Sequence, residues 1–180
     1  MTQTLERPLV ERAATASPVR IRKLGHVVYR VRDIERTVKF YTEILNFRVS
    51  DRNERGMVFL NACGDHHTIG LVEAEAGDAA RLPDSKELGL SHFAMEVASL
   101  DELFEIREFL KAKGVPITGE GRKGPGSNVE LSFRDPDGYS LELYCSMDQI
   151  GPNNRVRPAS QWHRVTSLEE ARDNPLSATW

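Results

Sequence analysis

Cysteine is scarce in this sequence, and its scarcity limits the kinds of protein that the chain can encode. The 180 residues include two cysteines, Cys63 and Cys145, which lie far apart and have no CxxC-type neighbour. A disulfide scaffold or a cysteine-rich zinc module needs more thiols at closer spacing. We therefore expect unpaired thiols, more typical of buried or strand positions than of metal ligands, and a reducing cytoplasmic compartment.

Long apolar runs and a strong net charge are also missing. No stretch approaches the roughly 20 apolar residues of a membrane-spanning helix, and the N-terminus lacks the apolar centre of a signal peptide. The formal net charge of −3 gives no electrostatic reason to expect a nucleic acid or an anionic membrane as partner. The composition, 39% hydrophobic and 28% charged, is that of an ordinary soluble protein with one core or two small packed modules.

The pattern of the chain changes twice along its length. Residues 1–20 have no periodicity and are predicted to form a flexible arm. Residues 21–150 alternate strand-like and helix-like patterns and are predicted to form one domain. Residues 151–180 form a tail in which "SLEEARDN" predicts one short helix with a capping box of Ser167 and Glu170. We expect the tail to wrap the body of the protein or to meet a partner chain.

The 21–150 region repeats itself in two modules, about 21–75 and 88–147. Each module is predicted to contain a strand, an amphipathic helix and three further short strands. The first helix, in "DIERTVKFYTEIL", has Asp33 as its expected N-cap. The second, in "SLDELFEIREFLKAKG", begins near Ser99 or Asp101 and ends at a glycine. The sequence therefore predicts an α+β fold made of paired βαβββ modules.

Each module opens with a histidine in an otherwise apolar, strand-like run. The segments are "LGHVVYRV" and "LSHFAMEV", and placing His26 on His92 aligns the modules at a shift of 66 residues. A single histidine in such a run is usually a hydrogen-bonded core residue. If the modules pack with pseudo-twofold symmetry, however, both imidazoles can face one cavity.

A carboxylate in the last strand of the second module completes a chemically recognisable set. Glu142 in "YSLELYC" lies between two leucines, so its side chain points either to solvent or into the same cavity. Two neutral imidazoles and one carboxylate form the facial triad, which binds Fe(II) and leaves positions open for substrate and dioxygen.

On these residues, segment 22–146 resembles the vicinal oxygen chelate superfamily of glyoxalases, bleomycin resistance proteins and extradiol dioxygenases. It is most similar to the metal-binding module of type I extradiol ring-cleaving dioxygenases. The similar segments, in the family's order, are "LGHVVYRVRDIERTVKFYTEILNFRVSDR", "HHTIGL", "LSHFAMEV" and "FRDPDGYSLELY". The resemblance implies a half-barrel of the two modules around a metal site.

The resemblance also assigns roles to individual residues. It implies that His26, His92 and Glu142 bind Fe(II), or Mn(II) in its place. It further implies that His67, in "HHTIGL", is a catalytic residue that assists dioxygen activation and proton transfer without binding the metal. The adjacent His66 would then point the opposite way, as a surface histidine.

Two departures from the family pattern bear on the chemistry. Extradiol enzymes carry a further histidine and a tyrosine, whose positions fall near Lys123 and Ser132 here, so both residue types are absent. Glyoxalase-type relatives carry an additional glutamate ligand in the last strand of the first module, and Gly70 occupies that position. The resemblance therefore favours a three-ligand dioxygenase over a four-ligand isomerase.

The predicted function is oxygen-dependent cleavage of a catecholic ring, with an aromatic small molecule and dioxygen as partners. We also expect a homo-oligomer, because the chain has room for the metal-binding domain alone. Two alternatives remain: a glyoxalase-like lyase or isomerase that uses a divalent metal without oxygen, and a non-catalytic small-molecule binding protein of the drug-resistance type.

Overall fold

The computed structural model describes residues 18–83, 86–150 and 155–177. The arm predicted over 1–20 lies almost entirely outside these described residues, and so does the start of the predicted tail. In the described part of the chain, no helix is long and apolar enough to cross a membrane.

The observed elements follow the predicted order in both modules. The first module contains β1 (Val27–Val31), α1 (Ile34–Glu43), β2 (Arg48–Arg52), β3 (Val58–Asn61) and β4 (Ile69–Glu73). The second contains β5 (Phe93–Glu96), α2 (Leu100–Ala112), β6 (Ile117–Arg122), β7 (Val129–Arg134) and β8 (Ser140–Cys145), and the tail adds α3 (Leu168–Asp173). The prediction of two βαβββ modules is confirmed.

Each module forms its own four-stranded mixed sheet, and the two sheets have the same topology. The strand orders are β1-β4-β3-β2 and β5-β8-β7-β6. In both, the first strand pairs in parallel with the last strand of its module. The fold class is therefore α+β, as the sequence predicted, and the repeat extends to strand pairing.

The strand starts differ slightly from the sequence prediction. β1 begins directly after His26 and β5 directly after His92, while β4 begins two residues after His67. The histidines therefore precede the hydrogen-bonded ladders instead of standing inside them, and His26 and His92 are exposed. A core role for either is excluded by this exposure.

The helix caps form as the local sequence dictates. The Asp33 side chain accepts a hydrogen bond from the Arg36 amide, and Ser99, the first of the two predicted candidates, accepts one from the Glu102 amide. A side-chain oxygen at this position satisfies an amide that the first helical turn leaves without a partner. The described part of the connection between β4 and β5 contains one turn of 3₁₀ helix, Gly77–Ala79.

Two compact units divide the chain, each with its own apolar core. One unit comprises residues 19–92 and 134–140, and the other includes residues 93–133 and 141–177. We call them the first and second units. Fully buried side chains fill each core: Val31, Tyr41, Leu60, Ile69 and Leu71 in the first, and Leu103, Leu110, Leu131, Phe133, Leu141 and Leu168 in the second.

The tail is tied to β6 of the second unit by hydrogen bonds. Arg122 and Val165 exchange backbone hydrogen bonds of 3.0 and 3.1 Å. The buried Arg122 guanidinium donates to the carbonyl oxygens of His163, Ala171 and Asn174. The predicted cap of α3 is present, since Ser167 accepts from the Glu170 amide. The described part of the tail therefore packs on its own unit.

Candidate metal and substrate site

The structure distributes the predicted site residues over both units. His26, His67 and His92 belong to the first unit, and Glu142 lies in β8 of the second. Among the described residues, no three His, Cys, Asp or Glu side chains are grouped as a set of metal ligands.

The structure does bring His26 and His67 together. Their ring centroids are 4.5 Å apart, and the His67 ring lies 5.0 Å from that of Phe59. Partial burial, followed by the charges of His26 and His66, lowers the pKa of His67 below its usual value. A lowered pKa favours the neutral imidazole, the form that accepts a proton near neutral pH.

His66 lies at the outside of this group. Its side chain is 61% exposed, and its Nε2 is 3.8 Å from Asp51 Oδ2. The two Nδ1 atoms of His66 and His67 are 3.0 Å apart, which is hydrogen-bond distance. The prediction that His66 lies at the surface is confirmed, but the prediction that it points away from His67 is wrong, because both rings lie near Phe59 and their Nδ1 atoms are in contact.

Gly70 in β4 stands opposite Val28 in the ladder of the first sheet. A Cβ atom at Gly70 would lie 3.0 Å from Val28 Cγ2 and 3.7 Å from Phe59 Cδ1. A separation of 3.0 Å is well inside the optimal carbon–carbon distance of about 3.5–4.0 Å. The valine therefore occupies the space that a side chain at position 70 would need.

Glu142 in β8 stands opposite Ala94 in the second sheet. Its carboxylate is buried, with 9% of the residue exposed. Asn128, at the loop before β7, donates a hydrogen bond of 3.2 Å from Nδ2 to Glu142 Oε1. The neighbouring leucines of β8, Leu141 and Leu143, point to the other face and are buried.

Strand register makes Gly70 the counterpart of Glu142. Val28 and Ala94 correspond under the 66-residue repeat, and their ladder partners are Gly70 and Glu142. One module therefore pairs a valine with a glycine, and the other pairs an alanine with a glutamate. The predicted assignment of Gly70 to the place of a further carboxylate agrees with this register.

The two positions at which the family pattern is broken have ordinary surroundings. Lys123 is exposed, donates to the Glu120 carbonyl oxygen and has its Nζ 3.9 Å from Glu130 Oε1. Ser132 lies in β7 opposite Gly119. Neither residue supplies the imidazole or phenol that is absent from the sequence.

Asn128 was not predicted from the sequence as a residue of the site. The hydrogen bond to Glu142 spans 14 residues, and no local periodicity links the two positions. One weak signal exists in the sequence: Asn128 directly precedes β7, which belongs to the same module as Glu142. An amide that donates to a carboxylate oxygen helps to orient the carboxylate.

The chain belongs to the glyoxalase/bleomycin resistance protein/dioxygenase superfamily. The model of this family matches residues 23–143, which include both modules up to β8. The residues singled out in the sequence, from His26 to Glu142, all lie within the matched range.

Relatives with different reactions are similar to the chain to the same degree. Metapyrocatechase 2 of Cupriavidus necator is 30% identical over 82% of this chain and 43% of that protein. A probable chloroplastic lactoylglutathione lyase of Arabidopsis thaliana is 31% identical over 68% and 35%. A manganese-dependent 2,3-dihydroxybiphenyl 1,2-dioxygenase of Geobacillus genomosp. 3 is 30% identical over 72% and 38%. The chain spans less than half the length of these relatives.

A solved structure supports the fold assignment. The glyoxylase/bleomycin resistance protein/dioxygenase domain from Frankia sp. EAN1pec has a TM-score of 0.60 and 28% identity, and the similarity covers 70% of this chain and 98% of that one. Family and fold therefore agree, and the relatives include both dioxygenases and lyases.

Proposed function

We propose that the protein is a metal-dependent enzyme that cleaves a catecholic ring with dioxygen. The proposed ligands of Fe(II), or of Mn(II) in its place, are His26, His92 and Glu142. The observation that carries this choice is the register of the two sheets, in which Gly70 stands where the second module has Glu142. Three donors then leave metal positions for both a diol and dioxygen.

The three side chains fit a divalent metal in their chemistry. Both histidines are exposed and two residues ahead of corresponding strand positions, Val28 and Ala94. Asn128 holds one oxygen of Glu142 and thereby limits the rotation of the carboxylate. When bound, the metal would chelate the diol and activate dioxygen beside it.

His67 is the proposed acid–base residue of the reaction. Its ring lies against that of His26 at 4.5 Å, so it is close to one proposed ligand. The neutral imidazole would accept a proton from a catechol hydroxyl and return it to the product. A positioned acid–base group contributes about 10²–10⁴-fold to a rate, so His67→Ala should lose activity on that scale and retain bound metal.

The competing reaction is that of a lyase or isomerase, in which the metal acts as a Lewis acid without oxygen. A probable lactoylglutathione lyase is 31% identical to the chain over 68% of its length. The absent histidine and tyrosine near Lys123 and Ser132 also remove groups that the resemblance associates with ring cleavage. The register at Gly70 nevertheless favours the dioxygenase. The resemblance implies that the lyases carry a fourth ligand, a glutamate, at this position, and a glycine cannot supply it.

Oxygen consumption distinguishes the proposals. The protein would be loaded anaerobically with Fe(II) and mixed with a panel of catechols, and dioxygen uptake and the absorbance of ring-opened product would be followed together. The proposal predicts equimolar uptake and product, abolished in Glu142→Gln and unchanged in His163→Asn, a control in the tail.

Turnover of a hemithioacetal with Ni(II) or Zn(II), without oxygen uptake, would establish the lyase. Ligand binding that survives His26→Ala and His92→Ala would establish a binding protein.

A further inference from the structure

A cavity lies at the carboxyl end of β1, within the first unit. It has a volume of about 200 Å³, and three arginines, Arg30, Arg32 and Arg81, line it together with Asp137 and Tyr139. The remaining lining residues are apolar and include Val31, Leu82 and Pro83.

Hydrogen bonds hold the walls of this cavity together. Arg32 Nε donates to the Ala80 carbonyl oxygen at 2.7 Å, and its Nη1 donates to the Asp137 carbonyl oxygen at 3.1 Å. The Tyr139 hydroxyl donates to the Arg30 carbonyl oxygen at 2.9 Å. The strand end, the loop after β4 and the β7–β8 turn are thus cross-linked, so the cavity exists before any ligand binds.

The charges that line the cavity are not balanced. The Asp137 carboxylate is already paired, with Arg32 Nη1 at 3.2 Å and Arg36 Nη2 at 2.6 Å. Within the described part of the chain, the guanidinium groups of Arg30 and Arg81 have no hydrogen-bond or ion-pair partner. No glutamate lines the cavity, and Asp137 is its only lining carboxylate among the described residues. Two cationic residues therefore line the cavity without an anionic partner among the described residues.

We propose that this cavity binds a small organic carboxylate. A guanidinium presents a planar fork of donors that matches the two oxygens of a carboxylate, and Arg30 and Arg81 supply two such forks. The apolar walls can contact the hydrocarbon body of an organic carboxylate, whereas an inorganic anion offers them no apolar surface. The volume is below the roughly 300–1,000 Å³ of sites for drug-sized ligands, so the ligand has only a few carbon atoms.

The cavity lies away from His26, the proposed metal ligand on the same strand run. Arg30 follows His26 by four residues, which an extended strand spans in about 13 Å. The inference therefore does not depend on the catalytic proposal, and its failure would leave that proposal intact.

A titration followed by NMR tests the inference. The ¹⁵N-labelled protein without added metal would be titrated with butyrate, with butyramide as the neutral isostere, and with inorganic phosphate. We expect saturable butyrate shifts at the amides of Ala74, Ala80 and Gly138, and an affinity for butyramide at least tenfold weaker. Saturable phosphate binding without butyrate binding would overturn the assignment to an organic carboxylate.

Variants identify the groups responsible. The double substitution Arg30→Gln with Arg81→Gln should weaken butyrate binding at least tenfold and leave the rest of the spectrum in place. Arg55→Gln, an exposed arginine of the β2–β3 turn, should leave the affinity unchanged. Equal affinity in the double variant and the wild type, or an equal loss in Arg55→Gln, would contradict the proposed site.

Discussion

Glu142 and Ala94 stand opposite each other in the parallel ladder between β8 and β5. The corresponding pair of the first module is Gly70 and Val28. In each pair a larger residue lies opposite a smaller one. The larger residue is on the first strand in the first module and on the last strand in the second module. This reversal gives one module a carboxylate on its last strand and the other none.

The Val28–Gly70 contact predicts an energetic coupling between the two positions. A Cβ at position 70 would meet Val28 Cγ2 at 3.0 Å, so Gly70→Ala should be less favourable beside valine than beside alanine. In a double-mutant cycle with Val28→Ala, we expect a coupling free energy of about 1 kcal/mol. Chemical denaturation of the four proteins measures it, and additive effects would show that the valine moves aside freely.

The Asn128–Glu142 hydrogen bond predicts a positioning role that is separate from stability. If Glu142 is a metal ligand, Asn128→Ala should weaken metal affinity by about 10- to 100-fold, because the carboxylate loses the donor that orients it. The measurement is a competition titration with a metal chelator, and the unfolding midpoint is recorded beside it. Asn61→Ala, on β3 of the first unit, is the control. A stability loss with unchanged metal affinity would reduce Asn128 to a structural residue.

Asp135, in the turn before β8, predicts a pH dependence of stability. Burial raises its pKa from 3.8 to about 6, although its Oδ1 accepts from the amides of Asp137 and Tyr139. The folded protein binds this proton more tightly than the unfolded chain does. Protonation of Asp135 therefore adds to the free energy of unfolding, and this stabilisation is complete below about pH 4. It is lost as the pH rises through about 6.

The substitution Asp135→Asn isolates this contribution. The amide oxygen can accept the same two backbone hydrogen bonds, and the side chain no longer titrates. The free energy of unfolding of the wild type should therefore fall relative to the variant by on the order of 2–3 kcal/mol between pH 4 and pH 7. Urea denaturation at several pH values measures the difference, and parallel pH profiles would contradict it.

The close approach of the tail to Gly121 predicts that a side chain at this position would disrupt the packing of the tail on β6. Its φ is +106°, and a Cβ there would lie 2.3 Å from the Val165 carbonyl oxygen. Gly121→Ala should therefore separate the tail from the sheet and cost about 2 kcal/mol or more.

Gly119 offers a matched control on the same strand. A Cβ at Gly119 would meet Ser132 Cβ at an ordinary 3.8 Å, so Gly119→Ala should leave the tail in place. Limited proteolysis reports cleavage within 155–177, and denaturation reports the stability. Equal protection of the tail in both variants would show that the Arg122–Val165 bridge does not hold it.

The sequence predicted the modules because their signals are local. Apolar spacing, the caps Asp33 and Ser99, and the repeated order of elements depend on neighbours a few residues away. The contacts of Asn128 with Glu142 and of Arg32 with Asp137 span 14 and 105 residues, and no periodicity encodes such pairs. The positions of His26 and His92 in the repeat were predictable, but their place just before the strands was not, since hydrogen-bonded strand ends are set by the partner strand.

The metal content of the protein is the most direct test of the account. The protein would be purified under argon without added metal, and the metal per chain would be measured by mass spectrometry for the wild type, His92→Ala and His163→Asn. The proposed metal site predicts near-stoichiometric iron or manganese in the wild type and in His163→Asn, and loss of the metal in His92→Ala. A wild-type protein without metal, which also fails to bind Fe(II) or Mn(II) when they are added back, would contradict it.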